Sequence, residues 1–214
     1  MAGEPVLRLL EDALTDGAAY SLPALNRFLY VAHGSAALGE RRLGADQGLI
    51  ESGAIVGRAG PEGATIWRWQ LQPAGIGADE IGVGWRCVEK LSAALTTLPQ
   101  EPLLMRGDSV AFPAGGCALR HVHQGPGIRC LIEGGMRIDT HGRSTAYAPG
   151  GAWFEAGPEP VFAQAADRPT RFIRCMVLPA RLFGQSSIRY VDQADRDKPK
   201  DQSYRSYGET AISL

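Results

Sequence analysis

Residues 115–164 read GGCALRHVHQGPGIRCLIEGGMRIDTHGRSTAYAPGGAWFEAGPEPVFAQ, with His121, Val122 and His123 near the start. Side chains alternate faces along a strand, so residues two apart point the same way. The run between Gly116 and Gly125 has no helical period, and Leu119 and Val122 are apolar. The reading is a strand that sends both imidazoles into one cavity. Gly125-Pro126-Gly127 then reads as a turn into the next strand. No helix start follows it, so it is not a phosphate-binding loop.

This stretch resembles the two signature motifs of the cupin superfamily, small β-barrels that often hold a transition metal. The first motif runs Gly, five residues, His-x-His, three or four residues, Glu, six residues, Gly. Gly115, His121, His123 and Gly134 fall on that spacing, while the Glu position falls on Gly127. The second motif ends Pro-x-Gly-x-x-His-x-x-x-Asn; here its register gives Glu155, Gly157, Pro160 and Gln164, with Pro160 at the His position. The resemblance covers residues 103–179 well and 26–72 weakly. It implies an all-β fold, the cupin double-stranded β-helix or jelly-roll barrel.

Composition sets outer bounds. The 214 residues suit one domain or one and a half, with 44% hydrophobic content and a formal net charge of −1. That charge argues against nucleic acid, which needs a basic face. No apolar run approaches the roughly 20 residues that span a bilayer. The start, MAGEPVLRLLEDAL, lacks the basic and apolar regions of a secretory signal. The four cysteines include no C-x-x-C pair, which favours reduced thiols and a cytoplasmic setting.

Along the chain, Val6, Leu9, Leu10 and Ala13 recur at helical spacing between Pro5 and Gly17, which predicts a short N-terminal helix within residues 1–25. Residues 26–72 read as four or five short strands punctuated by glycines. An internal match adds to this. RFLYVAHG resembles RCLIEGG, with Gly34 facing Gly134; IESG matches FEAG; ATIWRWQL matches TRFIRCMVL. Residues 26–84 are therefore expected to be half of a second cupin, because too few residues precede them for the other half. Residues 73–84 read as a glycine-rich connection. Residues 85–98 are open between helix and strand, with a strand favoured at the start because Trp85 and Cys87 look buried. The barrel proper is expected over 85–180, and a polar arm over 181–214 that crosses a partner or stays mobile.

The chemistry follows from the pair of imidazoles. Neutral imidazole is a common ligand for Zn, Fe, Ni and Cu, and a catalytic or oxygenase site adds a third protein group. The expected cofactor is a divalent transition metal (Fe, Mn, Ni or Zn) on His121 and His123, with Glu155 as a third ligand. Glu51, at the matching place in the first segment, argues instead that Glu155 holds a turn. Arg129 faces inward if position 127 does, and a guanidinium suits a carboxylate or phosphate. Phe112, Leu119, Leu131, Trp153, Phe162, Phe172 and Met176 supply candidate walls, and Cys117 shares the parity of the His pair. Three function classes stay open. One is a metal-dependent cupin enzyme, oxygenase-like or an isomerase or lyase, acting on a small oxygenated or carboxylated substrate. Another is a metal-free barrel that binds or senses a small anion. The third and weakest is a structural chain whose half-repeat serves only dimerisation. Cupin relatives are often dimers, so a homodimer is expected.

Overall fold

The computed structural model describes residues 4–73, 81–98 and 100–214, so most of the connection expected over 73–84, and Pro99, lie outside it. The chain divides into two units, one running to Thr96 and one from Thr97 to Ser213. Among the described residues the regular elements are strands, apart from two short 3-10 turns at Ala180–Leu182 and Gln193–Asp195. No helix among them is long and apolar enough to cross a membrane.

The first unit is a single antiparallel sheet of β1 (Val6–Leu22), β2 (Asn26–Leu38), β3 (Arg41–Gly44), β4 (Gln47–Glu51), β5 (Ile55–Gln72) and β6 (Ile81–Ala94). The expected N-terminal helix is thus a strand. Its burial alternates, but the register against β6 slips between Leu9 and Leu10. That bulge switches the phase of the alternation, so Leu7 and Leu9 are followed by buried Leu10, Asp12 and Leu14. A period of two with one slip imitates a helical stripe. The strand favoured from residue 85 is present as part of β6, but Cys87 is exposed and Trp85 only partly buried. β6 pairs with β1, which places it in the first unit and not in the barrel of the second.

Glycines expected to end strands instead bend them. β2 runs through Gly34 and β5 through Gly63, both at positive φ (72° and 71°). A Cβ at Gly34 would lie 2.1 Å from the Gly63 carbonyl oxygen, so the two backbones meet where only glycine fits. β1 bends at Gly17, where its register against β5 slips between Leu14 and Ala19.

The second unit holds two five-stranded antiparallel sheets. Its strands are β7 (Leu103–Phe112), β8 (Cys117–His123), β9 (Gly127–Glu133), β10 (Met136–Thr140), β11 (Arg143–Tyr147), β12 (Ala152–Glu155), β13 (Val161–Ala165), β14 (Thr170–Pro179), β15 (Ile188–Tyr190) and β16 (Ser203–Ile212). One sheet has the order β11-β10-β13-β8-β15, the other β12-β9-β14-β7-β16. The C-terminal segment is therefore neither a free tail nor an arm. β15 pairs with β8, and β16 pairs with β7 from Ser203 to Ile212.

The pairing of the first unit repeats that of the second, and this corrects the half-repeat. β4-β2-β5-β1-β6 runs in the order of β12-β9-β14-β7-β16. Past the glycine bends, the same long strands pair as β10, β13, β8 and β15 do: Ala36 to Ala59, Tyr20 to Gly57, and Tyr20 to Gly82. β1 thus supplies the strands that β7 and β8 supply in the second unit. Each unit has the whole strand plan. Inside the first, Tyr20, Leu22, Leu29, Val31, Ile55 and Ile66 close a core that contains no imidazole. His33 is exposed.

Candidate functional site

β8 delivers both imidazoles inward: His121 and His123 are 5% and 6% exposed. Their Nε2 atoms lie 3.3 Å apart, with the rings edge to face. The strand does not alternate evenly before them. Its register against β13 jumps so that Val161 faces His121 while Ala163 faces Ala118. The inward residue upstream is therefore Ala118, and neither Leu119 nor Cys117 shares the cavity face with the His pair. Leu119 acts through its backbone: its carbonyl accepts the His121 Nδ1–H at 2.7 Å. That bond leaves His121 Nε2 as an acceptor, so the shared contact assigns the proton to His123 Nε2. His123 Nδ1 is buried without a hydrogen-bond partner.

Glu155 completes the cluster. It ends β12 directly across from Gly127, the place where the motif carries its Glu. A side chain cannot stand at Gly127, because its Cβ would lie 2.5 Å from the Cys175 carbonyl oxygen. The carboxylate comes instead from the neighbouring strand. Its Oε2 lies 3.0 Å from His123 Nε2 and 2.8 Å from an Arg129 guanidinium nitrogen, and its Oε1 accepts the Trp153 indole N–H at 2.8 Å. The parallel with Glu51 therefore misleads. Glu51 turns back to accept the backbone N–H groups of Ser52 and Gly53, both at 2.9 Å. The signal that separates the two was present in the sequence: an indole two residues before Glu155, where Leu49 precedes Glu51.

Arg129 is 1% exposed and faces the cavity, as strand alternation from position 127 requires. Arg174 faces it too, but is held by Asp108 through bonds of 2.6 and 3.0 Å. Sequence reasoning passed over Asp108, the one carboxylate of β7, which stands across from Arg174 of β14. It also gave the C-terminal segment no part in the cavity, which Gln202 and Tyr204 line. Of the expected walls, Phe112, Trp153 and Phe172 are in place. Phe162 is not: it lies on the opposite face of β13 from buried Val161 and Ala163, beneath the Arg137 guanidinium. Leu131 is buried in the barrel core and Met176 in a separate cluster with Leu104, Leu178 and Leu182. His141 sits in an exposed turn at positive φ.

Burial governs the charges. It pushes the His123 imidazole down to about 3, helped by Arg129, and lowers His121 as well. Burial alone would raise Glu155, but the Arg129 charge and the His123 N–H outweigh it and hold the carboxyl well below its usual range. Burial lowers Arg129 to about 10, against the pull of Glu155, so it stays charged at neutral pH. Around the two neutral rings, the Glu155 anion is balanced by Arg129, and the Arg174 cation by Asp108.

These groups fit a resident divalent ion poorly. Among the described residues no three His, Cys, Asp or Glu side chains are arranged to hold one. The two remaining motif positions are Gly127 and Pro160, and the single converging carboxylate is matched by a guanidinium. The cavity between them measures about 20 Å³, enough for about one water.

Neither the family models nor the curated proteins contain a match to this chain. Solved structures do. A deletion mutant of Bacillus subtilis oxalate decarboxylase OxdC matches with a TM-score of 0.63 at 13% identity, over 90% of this chain and 73% of that one. A study of the substrate binding mode and a reaction specificity switch in oxalate decarboxylase matches at 0.65 and 12%, over 92% and 74%. A third structure, concerned with the Mn(II) centres of the Bacillus subtilis enzyme, matches at 0.63 and 12%, over 93% and 78%. At this identity the likeness establishes the cupin fold.

Proposed function

We propose that the second barrel is a metal-free binding site for one end of a small anionic, oxygenated guest. His121, His123 and Arg129 are its polar contacts, and Phe112 and Trp153 its walls. The observation that carries this reading is the 2.8 Å contact between Arg129 and Glu155, which balances the charge of the site with protein groups alone. A neutral hydroxyl or carbonyl oxygen of the guest can accept from the guanidinium beside Glu155 without upsetting that balance, while the anionic part of the guest stays outside the small cavity. The neutral rings favour binding over proton transfer. A general base works best with a pKa near the operating pH, and His123 lies far below it.

A second reading, a metal-dependent oxygenase, isomerase or lyase, is favoured by the 3.3 Å approach of two Nε2 atoms with a carboxylate beside them. In that reading Glu155 leaves Arg129, and His121, His123 and Glu155 form a two-His-one-carboxylate set, which would supply Lewis-acid or oxygen chemistry. The Mn(II) centres named for the distant oxalate decarboxylase lend it the same weight as the fold does. Elemental analysis after metal-supplemented expression decides between the two. The metal-free reading expects less than about one-tenth equivalent of any transition metal, and thermal shifts by small carboxylic acids that chelator leaves unchanged. Near-stoichiometric metal that is lost in H121A/H123A would overturn it.

A further inference from the structure

The barrel cavity, at about 20 Å³, is far smaller than the pockets of about 300–1,000 Å³ that hold ordinary ligands. A cleft of about 810 Å³ lies beside it within the same unit, built largely from the segment between the first 3-10 turn and β16. The two share Ile188, Gln202 and Tyr204, which form the neck between them. The cleft is lined by Arg181, Arg189, Arg196 and Lys200, and among the described residues by no Asp or Glu.

Three of the four Asp residues of that segment are used elsewhere, and the fourth, exposed Asp197, does not line the cleft. Asp192 accepts the Ala194 N–H, Asp195 holds Lys198, and Asp201 accepts the Cys117 N–H. Arg181 has Glu101 at 3.2 Å. Lys200 stands 4.1 Å over the Tyr190 ring and donates to the Asp195 carbonyl. Arg189 and Arg196 are exposed and have no ion-pair partner among the described residues. A second, independent observation comes from the neck. Gln202 is 9% exposed; its Nε2 donates to Tyr204 Oη at 3.1 Å, while its Oε1 is buried with no partner. An unfilled buried acceptor is costly and calls for a donor from the guest.

We propose that this cleft is the body of the ligand site. It takes a small polyanion through Arg189, Arg196 and Lys200, and accepts a hydroxyl of that molecule on Gln202 at the neck. This deepens the reading of the barrel and rests on it only for which end of the guest faces the imidazoles.

Citrate and propane-1,2,3-tricarboxylate, which differ by one hydroxyl, are the probes. Both are titrated by calorimetry at low salt into chelator-treated, dialysed protein. The expected result is saturable citrate binding below about 10 mM, weakened about tenfold or more in R189E/R196E. Wild type should prefer citrate over the tricarboxylate by about fivefold, and Q202L should abolish that preference. Exposed Arg189 and Arg196 tolerate reversal without unfolding, which circular dichroism checks. Undiminished citrate binding in R189E/R196E overturns the proposal, as does absence of saturable binding to wild type. Loss of binding in H121A/H123A alone would place the anion in the barrel and also overturn it. Metal content is read separately, so failure of the cleft and failure of the metal-free barrel give different results.

Discussion

Glu155 is the residue on which the site turns. It stands across from the glycine that replaces a carboxylate, and it neutralises a guanidinium that is 1% exposed. Glu155→Gln keeps the shape and removes the charge, leaving Arg129 buried and unbalanced. Breaking a buried pair in this way costs about 3–5 kcal/mol. Urea unfolding should show that loss, and Glu155→Gln with Arg129→Met should recover most of it, since apolar replacement of a whole buried pair is close to neutral. If the single and double variants are equally unstable, the pair does not hold the charge balance of the site. At this scale the sequence was partly legible. His121, His123 and Arg129 followed from strand parity, because β8 and β9 keep their period where those residues stand. Phe162 did not, because aromatic content carries no parity, and counting from Val161 turns the ring outward. Asp108 was hidden because its partner Arg174 lies 66 positions away.

At the scale of elements, the first unit was the harder to read. Its strands pass through glycines without ending, and a bulge in β1 imitates a helix. The motif-bearing unit was legible because turns separate its short strands. The bends themselves make a test. Gly34→Ala brings a Cβ to 2.1 Å from backbone that cannot step aside, at φ 72°, and should cost roughly 3 kcal/mol or more. Gly39→Ala, also at positive φ but with nothing within 4 Å, should cost only about 1–2 kcal/mol. Equal losses would mean that the close approach of β2 and β5 is not what fixes the glycine. Asp12 offers a parallel to Glu155. It is 1% exposed and holds Arg68 through bonds of 2.7 and 3.0 Å, so Asp12→Ala should destabilise by about 3–5 kcal/mol although it belongs to neither proposed ligand site. A change within about 0.5 kcal/mol would show that the pair relaxes into water.

For the whole molecule, the buried rings tie stability to pH. His123 titrates near 3 in the folded protein and near 6.5 in a free chain. The unfolded state therefore binds more protons across that window, and stability falls as pH drops below about 6.5 and levels near 3. His121 is shifted the same way. Glu155 has a folded pKa below its free value, so its contribution is full at neutral pH and is lost only on acidification below about 4.5. The interval from pH 6.5 to 5 thus isolates the imidazoles from the carboxylate. Urea unfolding measured there in chelator should show stability declining in wild type, with the part due to His123 approaching about 1.4 kcal/mol per pH unit. His123→Gln removes one titrating group while keeping a side chain that can hydrogen-bond, and its decline should be shallower. Parallel declines in the two proteins would mean that His123 is already open to protonation in the fold. The ring would then have to reach solvent, and the burial of the His pair on which the binding site depends would be lost with it.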